Sequence, residues 1–149
     1  MVYIIIVILI FVLDLLIKNY VERNIRENEN RKILKGTILI RKHHNKGFAL
    51  NKGSNARVLV AAVSLGMAVF CTFLFAISLG NKGNRLLNTA LALLLGGAYS
   101  NTYDRLRRKY VVDYFSFNVP MQPVRRIIFN LSDMFIIIGA MLSTIAYGA

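Results

Sequence analysis

Residues 58–80 read VLVAAVSLGMAVFCTFLFAISLG, twenty-three positions without one charge. At about 1.5 Å of rise per residue they make roughly 35 Å of helix. That exceeds the roughly 30 Å hydrocarbon core of a bilayer and leaves room for tilt. The rest of the chain points the same way: 56% of its 149 residues are hydrophobic and its mean hydropathy is +0.51. A soluble domain of this size has too little interior to hide so much apolar surface. Yet the formal charge is +12, from 19 Lys and Arg against 7 Asp and Glu. Long uncharged stretches with basic residues between them exclude an ordinary water-soluble enzyme and a disordered basic tail. What remains is a polytopic membrane protein with basic loops.

Outward from residues 58–80, three more spans follow. Residues 2–19 are apolar up to Lys18 except for Asp14, residues 86–103 are uncharged, and residues 127–148 are apolar apart from Asn130, Asp133 and a few hydroxyls. The expected fold is all-α: one membrane domain over residues 1–149 with four transmembrane helices, at 2–19, 58–80, 86–103 and 127–148. The first run lacks a basic leader and a small-residue cleavage site, so a retained helix is expected rather than a cleaved signal peptide. Cys71 is the single cysteine, which excludes an intramolecular disulfide and a multi-Cys metal site. It follows bulky Phe70 in mid-helix and reads as a small buried hydrophobe.

Most polar material lies in two loops on the same side. In the first, Tyr20 to Lys35 can extend the first helix as an amphipathic stub. Gly36 breaks that pattern, and Thr37-Ile38-Leu39-Ile40 reads as a short strand. The third loop, 104–126, holds both prolines, Pro120 and Pro123, which argue for an irregular connection. Loop one carries 11 Lys and Arg, loop three six, and the turn 81–85 two. By the positive-inside rule, loops one and three would face the cytoplasm.

A charge at bilayer depth is expensive, so each one calls for a reason. Asp14 lies four residues before Lys18 and can pair with it on one helix face. Asp104 ends the third span with Asn101 one turn earlier, and Arg105 offers a cation or a bidentate clamp. Taken alone, this group also reads as an interfacial helix cap. Asp133 has no basic residue nearby in its own helix, so it calls for a partner from another segment. That partner is either a cation or a second carboxylate sharing one proton, as in aspartic proteases. Asp113 becomes a candidate if loop three folds back on the bundle. Gly96 and Gly97 permit close helix approach. His43 and His44 lack the further ligands a metal site needs.

In order along the chain, four blocks resemble lipoprotein signal peptidase, the signal peptidase II family. They are Asp14-x-x-x-Lys18; His44-Asn45-Lys46-Gly47-Phe48-Ala49; Gly97 to Arg105 followed by Val111-Val112-Asp113-Tyr114; and Phe129-Asn130-Leu131-Ser132-Asp133. The resemblance implies that Asp113 and Asp133 are the catalytic dyad. It makes Asn45, Asn101, Asp104, Arg105 and Asn130 the polar shell, with Asp14 and Lys18 fixing the first helix. It further implies a four-helix membrane bundle with a small extracytoplasmic β-cradle from loop one and a short helical flap in loop three. The substrate would be a diacylglyceryl-modified prolipoprotein, cut by an activated water just before the lipidated Cys. No metal or organic cofactor is implied. Ser100 stands where the family has Gly, Ser132 where it has Ala, and Ile17 where it has a hydroxyl residue. Phe48, Leu50 and Asn51 are further departures, near the expected substrate groove.

The family places loops one and three outside the cell membrane, opposite to the Lys/Arg count. The topology adopted is the family's, in the bacterial cytoplasmic membrane with the active site toward the outer leaflet; beside it, a monomer is expected, with the basic loops held against anionic headgroups. Two rivals stand beside it. One is a non-catalytic scaffold that binds lipopeptide or lipid; the other is a proton or cation relay, against which four short spans offer little for alternating access. Nucleic-acid binding is not expected, because the basic residues flank membrane spans.

Overall fold

The computed structural model describes residues 1–27, 29–47, 56–80 and 84–148. Phe48, Leu50 and Asn51 lie outside them. The chain runs α1 (Val2–Asn24), β1 (Arg31–Ile33), a 3-10 turn (Leu34–Gly36), β2 (Ile38–Asn45), α2 (Arg57–Gly80), α3 (Arg85–Arg107), β3 (Val111–Phe117), α4 (Gln122–Arg126) and α5 (Leu131–Gly148). It is mostly helical with one small sheet. The helices α1, α2 and α5 are long and apolar enough to cross a membrane. Ile4, Ile8, Leu16, Phe70, Phe73, Met141 and Ile145, each about half exposed or more, clothe them in side chains that only lipid would cover.

The helix α3 is as long as α1 but far more polar, with Asn88, Ser100, Asn101, Thr102 and Asp104 all buried. The reason is its place: α1, α2 and α5 all pack on it, so its polar groups face protein partners rather than lipid. Ser78 Oγ, for example, donates to Asn88 Oδ1 at 2.6 Å. The α3–α5 contact is close because two glycines allow it. A methyl group at Gly97 would lie 2.5 Å from the Ser132 carbonyl oxygen, and one at Gly139 would lie 2.6 Å from that of Ala90.

The sheet has the order β1-β2-β3, antiparallel throughout. It corrects the expected cradle, since its third strand comes from loop three and not from loop one. The amphipathic stub is also shorter than expected: α1 ends at Asn24, and Arg31–Ile33 is strand. The short strand expected at 37–40 continues to Asn45. Gly36, with φ +89°, occupies the left-handed region at the turn between β1 and β2. In loop three a helix, α4, does form. Pro123 sits in its first turn, where the missing N–H costs nothing. The fourth long helix begins at Leu131 rather than 127. Before it, Phe129 is bridged to β3, its N–H donating to the Phe115 carbonyl at 2.7 Å.

Candidate active site

Two carboxylates meet at the junction of β3 with the ends of α3 and α5, and they arrive by different routes. Val111, Val112, Asp113 and Tyr114 are all buried, because β3 lies between β2 and the bridged segment before α5. Asp113 is paired with His43 of β2, and the strand that carries it is tied on its other edge by the bridge between Phe115 and Phe129. Asp133 sits in the first turn of α5, and its position is fixed by capping. Its backbone N–H donates to Asn130 Oδ1 at 2.9 Å, while the Asn130 N–H donates to Asp133 Oδ2 at 3.0 Å. This reciprocal pair is a capping box built from Asn and Asp.

Asn130 then joins the two acids. Its side-chain amide donates to Asp113 Oδ1 at 2.8 Å. Each acid has one further amide donor of its own: Asn45 Nδ2 reaches Asp113 Oδ2 at 3.1 Å, and Asn101 Nδ2 reaches Asp133 Oδ1 at 2.9 Å. Every carboxylate oxygen of the pair therefore accepts a hydrogen bond. Burial and the neighbouring Asp133 carboxylate nevertheless push the Asp113 carboxyl up to about 7, against the opposing pull of Asn130 and Asn45. A carboxyl so placed is still partly protonated at neutral pH, where an exposed one has lost its proton.

Both acids line one cavity of about 230 Å³, together with Asn45, Asn101 and Arg105. Its other wall is apolar: Ile127, Ile128, Phe129, Ile136 and Ile137. Arg105 hangs from α3 with long contacts to the carbonyls of Asn101 (3.4 Å) and Gly47 (3.3 Å), and its Nε is buried without a partner. It is the cation of the cavity wall. The chemistry available here is acid–base work on a group lying between two carboxyls, beside a surface suited to apolar chains.

Beneath the pair lies a buried ionic network. Lys18 Nζ contacts Asp14 Oδ2 at 2.7 Å, Asn101 Oδ1 at 2.8 Å, Ser100 Oγ at 3.1 Å and Asp104 Oδ2 at 3.3 Å, and both acids and the lysine are fully buried. Arg108 adds a second cation to Asp104 at 3.1 Å. Two cations thus face two carboxylates, which is what burial demands. Asp104 also accepts the Val112 N–H at 3.2 Å and so ties α3 to β3.

All the candidate site residues therefore belong to one connected group. Asp113, Asp133, Asn45, Asn101, Arg105 and Asn130 line or reach the cavity, whereas Asp14, Lys18 and Asp104 form the layer below. Other contacts were not anticipated. Ser100 and Ser132 both donate to Asp14 Oδ2, and the Tyr114 hydroxyl donates to Oδ1 at 3.0 Å. Each of these hydroxyls is one residue away from Asn101, Asp133 or Asp113, so the Asp14 carboxylate gathers the backbone segments that carry the site. The two serines, read from the sequence as departures from the resemblance, both serve this one acceptor. Glu22 was also missed: it binds His44 at 2.9 Å and accepts from Tyr110 at 2.7 Å, holding β2 and β3 against α1. Its signal was present, since 14, 18 and 22 fall on one helix face at i, i+4 and i+8.

A family model described as signal peptidase (SPase) II matches residues 6–147. The lipoprotein signal peptidase of Lactobacillus johnsonii is 33% identical over 141 residues, which cover 94% of this chain and 87% of that protein. That of Bacillus subtilis is 33% identical over 147 residues, covering 95% and 90%, and that of Halothermothrix orenii is 32% identical over 142, covering 95% and 91%. Among solved structures, a bacterial membrane enzyme superposes with a TM-score of 0.84 at 23% identity, covering 98% of this chain and 87% of its own. A second superposes with a TM-score of 0.82, also at 23% identity, covering 98% and 92%.

Proposed function

The chain belongs to the signal peptidase II family, and on that premise we propose that it cleaves diacylglyceryl-modified prolipoproteins just before the lipidated Cys, with Asp113 and Asp133 as an aspartic dyad. The observation that carries the dyad is that one residue, Asn130, bonds both carboxylates, its side-chain amide donating to Asp113 and its backbone N–H to Asp133, inside one cavity with an apolar wall. Two carboxyls so placed divide one proton. The ionised member takes a proton from water, and the resulting hydroxide attacks the scissile carbonyl carbon. The protonated member steadies the developing oxyanion, and a proton passes to the amine of the departing Cys as the C–N bond breaks. Asn45, Asn101 and Asn130 hold the carboxyls in place. Arg105 supplies positive potential at the wall, and the apolar residues of α5 lie against the signal peptide or the acyl chains.

In this reading α3 is the fourth transmembrane span, shielded by the other three. The protein works as a monomer in the bacterial cytoplasmic membrane, with the sheet and the dyad at the outer leaflet and anionic headgroups along the basic loops. The test is digestion of a synthetic precursor by the purified protein, with both products weighed. A lipidated peptide beginning at Cys, and no cut in the precursor that lacks diacylglycerol, is the expected result. Tight binding of the lipidated precursor without any product would instead make the protein a scaffold.

A further inference from the structure

Away from the dyad cavity, α1 and α2 each pack on α3 rather than on one another. The gap between them is an open trough of about 860 Å³, lined by apolar side chains such as Val7, Ile8, Phe11, Ala68 and Phe73. Three of its hydroxyls are engaged: Thr72 Oγ1 and the Tyr99 hydroxyl lie 2.7 Å apart, and Thr102 donates to the Ser64 carbonyl at 3.3 Å. Tyr103 is the remaining polar side chain among the described lining residues and no charge lines the trough, so it suits a hydrocarbon chain.

Its upper end is different. Leu65 and Leu106 line both the trough and a second cavity of about 520 Å³, which is walled by Val58, Ala61, Ala62 and three cations: Arg57, Arg105 and Lys109. Arg57 is the first residue of a 24-residue helix, so it stands at headgroup depth when that helix spans the bilayer. Among the described residues neither Arg57 nor Lys109 has a carboxylate partner, and no acid lines this cavity. Lys109 reaches only the Leu106 carbonyl of the preceding turn, at 2.9 Å. Unpaired cations above a hydrocarbon trough match one chemistry: a monoanionic phosphodiester carrying long acyl chains.

We propose that this groove is a binding site for one anionic phospholipid, its phosphate held by Arg57 and Lys109 beside Arg105, and an acyl chain lying between α1 and α2. A zwitterionic lipid fits the trough equally well but brings a cationic group to a cationic mouth. The site therefore selects by headgroup and not by chain. Because Arg105 lines both this cavity and that of the dyad, the lipid and the candidate active site share a wall. The proposal concerns binding alone and stands apart from the reading of the reaction.

The experiment is native mass spectrometry of the purified full chain with phosphatidylglycerol or phosphatidylcholine of matched acyl chains. One phosphatidylglycerol should be retained in preference to phosphatidylcholine. Arg57→Gln combined with Lys109→Gln should weaken the phosphatidylglycerol complex about thirtyfold, as expected for two cations at a lipid headgroup. Ala62→Phe, which fills the cavity from an exposed position, should lower retention as well. The distant pair Lys32→Gln with Lys35→Gln should leave it unchanged. Equal retention of the two lipids would overturn the proposal, and so would an equal loss in the distant pair, which would reduce the effect to diffuse charge. One-for-one displacement of phosphatidylglycerol by a prolipoprotein peptide would assign the groove to the substrate and overturn it too.

Discussion

Asp113 and Asp14 are both buried carboxyls, and their surroundings set them opposite tasks. Asp14 is held between Lys18 and three hydroxyls, whereas Asp113 has only neutral amide donors and a second acid nearby. Its carboxyl, at about 7 in the folded protein against 3.8 for a free one, keeps a proton that the unfolded chain has already released. Folding then binds more protons than unfolding between those values, so this group's contribution to stability falls as pH rises from about 4 to about 7. Asp113→Asn removes the titration, and its melting temperature in detergent should vary less over that window than the wild type's; parallel curves would count against the assignment. Asp14→Asn makes the contrasting case. It leaves Lys18 buried with its main counter-charge gone, at a cost of about 3–5 kcal/mol, readable as a lower denaturation midpoint. Tyr114→Phe, which loses one bond to Asp14 and one from the Leu131 N–H, should cost about 1–2 kcal/mol.

Among the elements, α3 and β3 decide where the site lies. The pairing of Asp14 with Lys18 could be read from spacing, because i and i+4 on a helix need no knowledge of the rest of the fold. The capping box at Asn130 and Asp133 is equally local. The third strand is another matter. Val111–Phe117 is buried almost throughout and shows no alternation, and its partner is β2, some seventy residues earlier, with His43 opposite Asp113. No short-range pattern carries that pairing. The start of α5 at Leu131 is hidden from the sequence for a related reason. Ile127, Ile128 and Phe129 are apolar enough to continue a helix, but their neighbourhood with β3 draws them into an extended bridge. Gly97 tests whether the α3–α5 approach matters. Gly97→Ala puts a methyl group 2.5 Å from the Ser132 carbonyl, so α5 must shift and carry Asp133 with it. The turnover rate should fall by about 10²-fold, out of proportion to a modest loss of stability. Retained turnover would mean that the two helices do not need this spacing.

For the whole molecule, composition alone called for a membrane protein, and the exposed apolar faces of α1, α2 and α5 bear that out. What composition could not settle is which way the chain faces, because 17 of 19 Lys and Arg lie in loops one and three. The family reading puts those loops outside. A cysteine placed at Lys35, with Cys71 buried, should react with a membrane-impermeant maleimide added to intact cells; labelling only after the membrane is opened would reverse the topology. The claim on which most depends is the shared-proton pair. Its most direct test is the rate of cleavage of a diacylglyceryl-prolipoprotein by the purified protein beside Asp113→Asn and Asp133→Asn, with melting curves showing that both variants remain folded. Each variant should lose about 10³-fold or more in turnover while still binding the precursor. A folded variant of either acid that cleaves at the wild-type rate would contradict the dyad.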